Sequence, residues 1–244
     1  MTGTLLGSLT GSFTALFIAV AIFVGGHIVL SSRPIRDPLV AKIGERPFLA
    51  LYSVCATPPF VWMIVAYHTA PTDYLWIAPI AVKHLSLSLM ILVSILVVAS
   101  VSRNNPSVAG APAPRLEDGP KGIFRITRHP FMWGVALWAI THLLANGDVA
   151  SVTLFGGLAI LAIVGTLHSD SRKRRQHGAA WDAYARQSSH LPFLAIAQGR
   201  TRLVWSEIGW RPAILGVGLY LVLLVLHEPV IGVAPMSLVS GIFG

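Results

Sequence analysis

No Lys, Arg, Asp or Glu occurs before Arg33. An opening this long without an ionised side chain suits very few folds. A helix rises about 1.5 Å per residue, so roughly 20 apolar residues cross a hydrocarbon core near 30 Å thick. Similar stretches recur, and the expected spans are about 11–30, 48–67, 79–101, 130–147, 149–167 and 212–226. Charged residues make up only 11% of the 244, against about 25% in a soluble domain. That excludes a soluble globular domain, a disordered chain and a fibrous repeat. The expected fold is an all-α polytopic membrane bundle of about six transmembrane helices, forming a single membrane domain over 1–244. The first span lacks a basic leader, so it reads as a retained helix rather than a cleavable signal. Pro58-Pro59 predicts a kink in the second.

The basic residues test this count. Of the 18 Lys and Arg, all but Lys83 fall in the segments 31–47, 102–129 and 168–211. Under the positive-inside rule these segments are cytoplasmic and both termini lie outside. A net charge of +8 would suggest nucleic acid in a soluble protein. Here it reads as contact with membrane lipid, with no nucleic-acid partner. Ser102 to Pro120, rich in Pro and Ala, reads as a flexible connector. Ser169 to Arg211 carries Trp181, Tyr184, Leu191 and Phe193 among basic residues, and reads as an amphipathic segment lying on headgroups. The uncharged 229–244 tail reads as interfacial. The single Cys55 excludes a disulfide framework and a Cys-ligated metal cluster.

Nine histidines remain to be explained, and ionisable groups in a membrane are costly enough to suggest function. His27 ends the first span behind Gly25-Gly26. His68 ends the second, His84 opens the third and His129 precedes the fourth. His142 lies well inside the fourth, while His168 and His227 end the fifth and sixth. His177 and His190 read as surface residues. Gly134, Trp138 and His142 follow i, i+4, i+8 and share one helix face, which could accommodate a flat macrocycle. The plainer alternative is that the glycines are helix-packing contacts and each imidazole bonds a neighbour. Several membrane histidines with no Cys partners point towards metal or haem iron. His129 and His142 lie about 20 Å apart on one helix and cannot share an iron. Arg125, Arg128 and the helix start at Pro130 could hold a haem propionate or a cofactor phosphate, or could simply form a basic membrane boundary.

The run from Gly122 through Arg125, Arg128-His129-Pro130, Trp133-Gly134, Trp138 and His142 to Asn146-Gly147-Asp148 resembles the NnrU family, which includes the plant 15-cis-zeta-carotene isomerases. Gly44-Glu45-Arg46-Pro47-Phe48, Leu191-Pro192-Phe193, Gln198-Gly199-Arg200 and His227-Glu228-Pro229 extend the likeness over nearly the whole chain. The resemblance implies an integral membrane protein, here of a bacterial inner membrane, that binds haem b. It also implies redox-dependent cis–trans isomerisation of an apolar polyene substrate. It places the iron ligands, and hence the catalytic positions, at His27 and His142, with Ala139 where the plant proteins have Cys. By depth, His84 lies nearer to His142 and is an alternative ligand. Two other readings stay open. One is an NnrU-type haem protein of denitrification or nitric oxide metabolism. The other is an S-adenosylmethionine-dependent membrane methyltransferase, suggested by Arg128-His129-Pro130, Asp170 and Tyr184.

Overall fold

A computed structural model of the chain describes residues 9–101 and 116–235. Ten α-helices are described there: α1 Phe13–Ser31, α2 Arg33–Ile43, α3 Glu45–Thr69, α4 Ile80–Val101, α5 Pro130–Ala145, α6 Val149–His177, α7 Ala179–Gln187, α8 Leu194–Ala197, α9 Trp205–Ile208 and α10 Arg211–Ile231. The fold is an all-α membrane bundle, and its outer surface is apolar. Phe17, Val54, Leu92, Ile160 and Val225 are all among the exposed side chains, as expected where lipid replaces water.

Among the described residues, five helices are long and apolar enough to cross a membrane: α1, α3, α4, α6 and α10. The expected fourth span, α5, has 16 residues and is about 24 Å long. It is cut short at Asn146-Gly147-Asp148. There the Gly147 carbonyl accepts the N–H groups of Leu75 and Trp76, and Asp148 caps α6 by accepting from the Ser151 N–H. Being flanked by α4 and α6, α5 buries Gly134, Ala136, Ala139 and Thr141.

Three further points bear on the expected spans. First, α3, where a kink is expected at Pro58-Pro59, stays helical through both prolines; nearby, Thr57 Oγ1 donates to the Ser53 carbonyl at 2.8 Å. Second, α6 does not stop at Leu167 but continues to His177. The segment beyond it folds back instead of lying flat on headgroups. Trp181 and Tyr184 are 0% and 3% exposed, packed against Leu116. Third, α10 extends past the expected Leu226 to Ile231, through Pro229. Most of the expected connector, 102–115, and the end of the tail, 236–244, lie outside the described residues.

The helix directions can be read from contacts. Val20 faces Gly157, and Ser31 Oγ meets His168 Nδ1 at 2.9 Å. Both pairs are offset by 137 residues, so α1 and α6 run parallel. Met132 faces Gly165, and the rings of His142 and Phe155 are 4.9 Å apart. Both sum to 297, so α5 and α6 run antiparallel. This arrangement places Arg36, Arg125, Arg128 and Arg172 at one end of the bundle and Lys83 at the other.

Candidate functional site

Two places in the bundle concentrate unusual side chains. The first is an apolar cavity of about 210 Å³ lined by Met90, Val93, Ser94 and Val97 of α4, Gly134, Val135 and Trp138 of α5, and Leu219 and Leu223 of α10. Its hydroxyl side chain, Ser94, is buried with no hydrogen-bond partner for Oγ among the described residues. The close approach of α4 and α10 that shapes it depends on Gly216. A Cβ there would lie 2.5 Å from Ile95 Cα. Gly134 leaves no slot for a macrocycle, because Val97 Cγ2 would be 2.6 Å from an added Cβ. Gly25 and Gly26 do have open space beside them.

Trp138 links the cavity to His142, whose ring lies 4.9 Å away. His142 Nδ1 donates to the Trp138 carbonyl at 2.8 Å, and His27 Nδ1 donates in the same way to the Phe23 carbonyl at 2.8 Å. Because a carbonyl only accepts, Nδ1 carries a proton in each ring, which leaves Nε2 as the nitrogen through which either could bind a metal. Their positions, however, do not converge. By the offsets above, His27 is level with Val164 of α6 and His142 with Phe155. Nine residues of helix separate those levels, about 13 Å. Metal–imidazole bonds are about 2.0–2.1 Å, so one iron does not fit between these two rings as they stand. His27 instead packs against Phe23 and Tyr52. His84 is no better placed. Ser86 and Val97 mark the α4 face turned to α5, and His84 lies about 200° round the helix from Ser86.

The second place is at the basic end. Arg128 pairs with Asp170, its Nε at 2.8 Å from Oδ1, and His129 Nε2 is 2.7 Å from the same carboxylate. Arg125 forms a two-pronged pair with Glu207, Nε to Oε2 and Nη2 to Oε1, both at 2.8 Å. Glu207 also accepts the Gly122 N–H at 2.7 Å. Both arginines expected to hold an anionic cofactor group are thus engaged with carboxylates. The Arg125 hydrogen bonds hold Glu207 down at about 2. Burial pushes His129 below the ordinary imidazole range, although Asp170 pulls the other way. His190, expected at the surface, is half-buried. Its backbone carbonyl accepts from Thr127 Oγ1 and Trp133 Nε1, and its ring lies 5.7 Å from that of His129. The sequence tied Asp170 to Arg128-His129-Pro130 only through the methyltransferase reading, and gave no signal for His190.

The model of the family described as NnrU protein matches residues 15–235. The chain belongs to the NnrU family. Among curated relatives of this NnrU protein, 15-cis-zeta-carotene isomerase, chloroplastic, of Zea mays is 30% identical over 75% of the chain and 50% of the relative. The protein of the same description from Arabidopsis thaliana is 29% identical over 74% of the chain and 50% of the relative. The NnrU chain therefore spans about half the length of the curated relatives it matches. No solved structure matches it.

Proposed function

We propose that this protein is a membrane-embedded isomerase that rotates a cis double bond in an apolar polyene of the 15-cis-zeta-carotene type. The observation that carries the reading is the likeness to two plant isomerases over about three quarters of the chain. The cavity between α4, α5 and α10 supports it. Among the described residues no charged side chain lines it, and Trp138 and Met90 offer polarisable surface to a conjugated chain. Ligand pockets that enclose a whole small molecule run to about 300–1,000 Å³. At about 210 Å³, this one suits a segment of a polyene whose ends lie in lipid. The walls would exclude water and fix the segment, with Trp138 against one face.

The resemblance to the family also implies haem b, and the proposal carries that cofactor into its test. Because His27 and His142 stand about 13 Å apart in depth, no step of the reaction is assigned to an iron held by both. The methyltransferase reading gains no such support, since Arg128 and Asp170 neutralise each other.

The test is conversion of 9,15,9'-tri-cis-zeta-carotene by purified protein supplied with haem, with and without reductant, followed by chromatography of the isomers and a visible spectrum. Loss of the 15-cis isomer is the expected result. Val135→Trp, which fills the cavity, should lower the rate at least tenfold in a folded protein. A folded, haem-loaded protein that leaves the substrate unchanged would refute the isomerase reading and turn attention to nitric oxide metabolism.

A further inference from the structure

His129, Asp170 and His190 come from three separate parts of the chain: the residue before α5, the charged end of α6, and the loop after α7. One ligand atom from each lies within 4.8 Å of the other two. Nδ1 of His129 and Nδ1 of His190 are both buried, and neither has a hydrogen-bond partner among the described residues. His129 as a whole is 0% exposed. Buried polar atoms in folded proteins are nearly always partnered, and an exception points to an ion, a water or a chemical role. On each ring the other nitrogen is engaged, His129 Nε2 with Asp170 at 2.7 Å and His190 Nε2 with Thr166 Oγ1 at 3.3 Å, so the polar set is incomplete at the two Nδ1 atoms.

We propose that His129, Asp170 and His190 bind a divalent transition-metal ion, separate from the apolar cavity and independent of the isomerase reading. Two imidazoles and one carboxylate are the donors that zinc, cobalt, iron(II) and manganese accept. Calcium and magnesium prefer all-oxygen sets. Bonds of about 2.0–2.1 Å require ligand atoms about 3.3 Å apart in a tetrahedral set. The cluster therefore closes by about 1.5 Å at most, within reach of side-chain rotation. Arg128 holds the carboxylate of Asp170 from the other side, orienting it as outer partners of metal ligands do. The charge on Arg128 also opposes a cation, so the site is weaker than the same three ligands without it. Three ligands leave a fourth position open. The ion would fasten the start of α5 and the loop after α7 to α6.

The experiment uses the full chain in detergent, freed of any polyhistidine tag, stripped with chelator and titrated with Co²⁺. Cobalt is read by elemental analysis and by its visible d–d bands, which keeps it distinct from haem iron. One Co²⁺ per chain is expected, with affinity at least tenfold lower in His190→Gln and in Asp170→Asn. His177→Gln, outside the cluster, should bind as the parent does. Added Zn²⁺ should raise the unfolding temperature of the parent and leave that of His190→Gln unchanged. Folded parent protein showing no saturable Co²⁺ uptake overturns the proposal whatever the variants do. So does uptake that His190→Gln and Asp170→Asn retain in full, or that His177→Gln loses equally.

Discussion

Replacing Gly216 by alanine should destabilise the bundle, while the same change two residues on at Gly218 should not. Both sites lie inside α10, so each variant gains about 1 kcal/mol or less of helix propensity. The surroundings differ. At Gly218 nothing lies within 4 Å of an added Cβ, whereas at Gly216 that atom meets Ile95 Cα at 2.5 Å and Ile95 N at 2.8 Å. Backbone atoms have no rotamer to move into, so α10 must retreat from α4 by roughly 1 Å. Overpacking of this kind costs about 1–3 kcal/mol, and a backbone clash belongs at the upper end. The two variants should then differ by about 3 kcal/mol, or roughly 6–12 °C in Tm at about 2–4 °C per kcal/mol for a chain of this size. Thermal unfolding in detergent, followed by intrinsic tryptophan fluorescence, measures this directly. Melting temperatures within about 2 °C of each other would refute the claim that glycine sets the α4–α10 approach.

Acid should release the Arg125–Glu207 clamp. Glu207 is depressed from an ordinary 4.5 to about 2. Its contribution is therefore complete above pH 4.5 and lost as pH falls towards 2. The exposed Trp205 and Trp210 nearby should report the change in fluorescence, and Glu207→Gln should abolish that transition. Trp181→Ala should cost about 3–5 kcal/mol, because the ring is 0% exposed and stacked on Tyr184 at 5.5 Å. Trp181→Phe should cost far less, since the indole N–H it removes has no partner among the described residues, and chemical denaturation of both variants checks the difference. Of His142→Ala and His27→Ala in haem-supplied protein, at most one should shift or remove the Soret band, because one iron does not reach both rings as they stand. Loss of the band in both folded variants would contradict their separation in depth.

The helices were largely legible from hydropathy alone, because an uncharged run must be helical in lipid whatever it packs against. The grouping of the described basic residues at one end of the bundle was legible as well, with Lys83 at the other end. Depth and facing were not. Hydropathy says that His27 and His142 both lie within apolar stretches, but their separation depends on the parallel pairing of α1 with α6, which no local pattern encodes. The same holds for Gly134. Its small size was visible in the sequence, but that Val97 occupies the space was not. Trp181 and Tyr184 misled for a related reason. Aromatics among arginines suit a headgroup layer, and the contact with Leu116 that buries them comes from 65 residues earlier in the chain. Asp170 and His129 were named together in the sequence only for the methyltransferase reading. That His190 joins them became evident only with the loop after α7 folded back.

The parallel pairing of α1 with α6 also bears on how the protein is made. A neighbour that follows directly in the chain, such as α3, can dock on α1 as soon as it enters the bilayer. The partner of Val20 and Ser31, by contrast, is synthesised 137 residues later. Until then the face of α1 that carries Val20, Val24 and Ser31 lacks the helix that covers it. Translation that pauses before α6 emerges should therefore leave a half-assembled intermediate, vulnerable to membrane proteases and marked by an unprotected first helix.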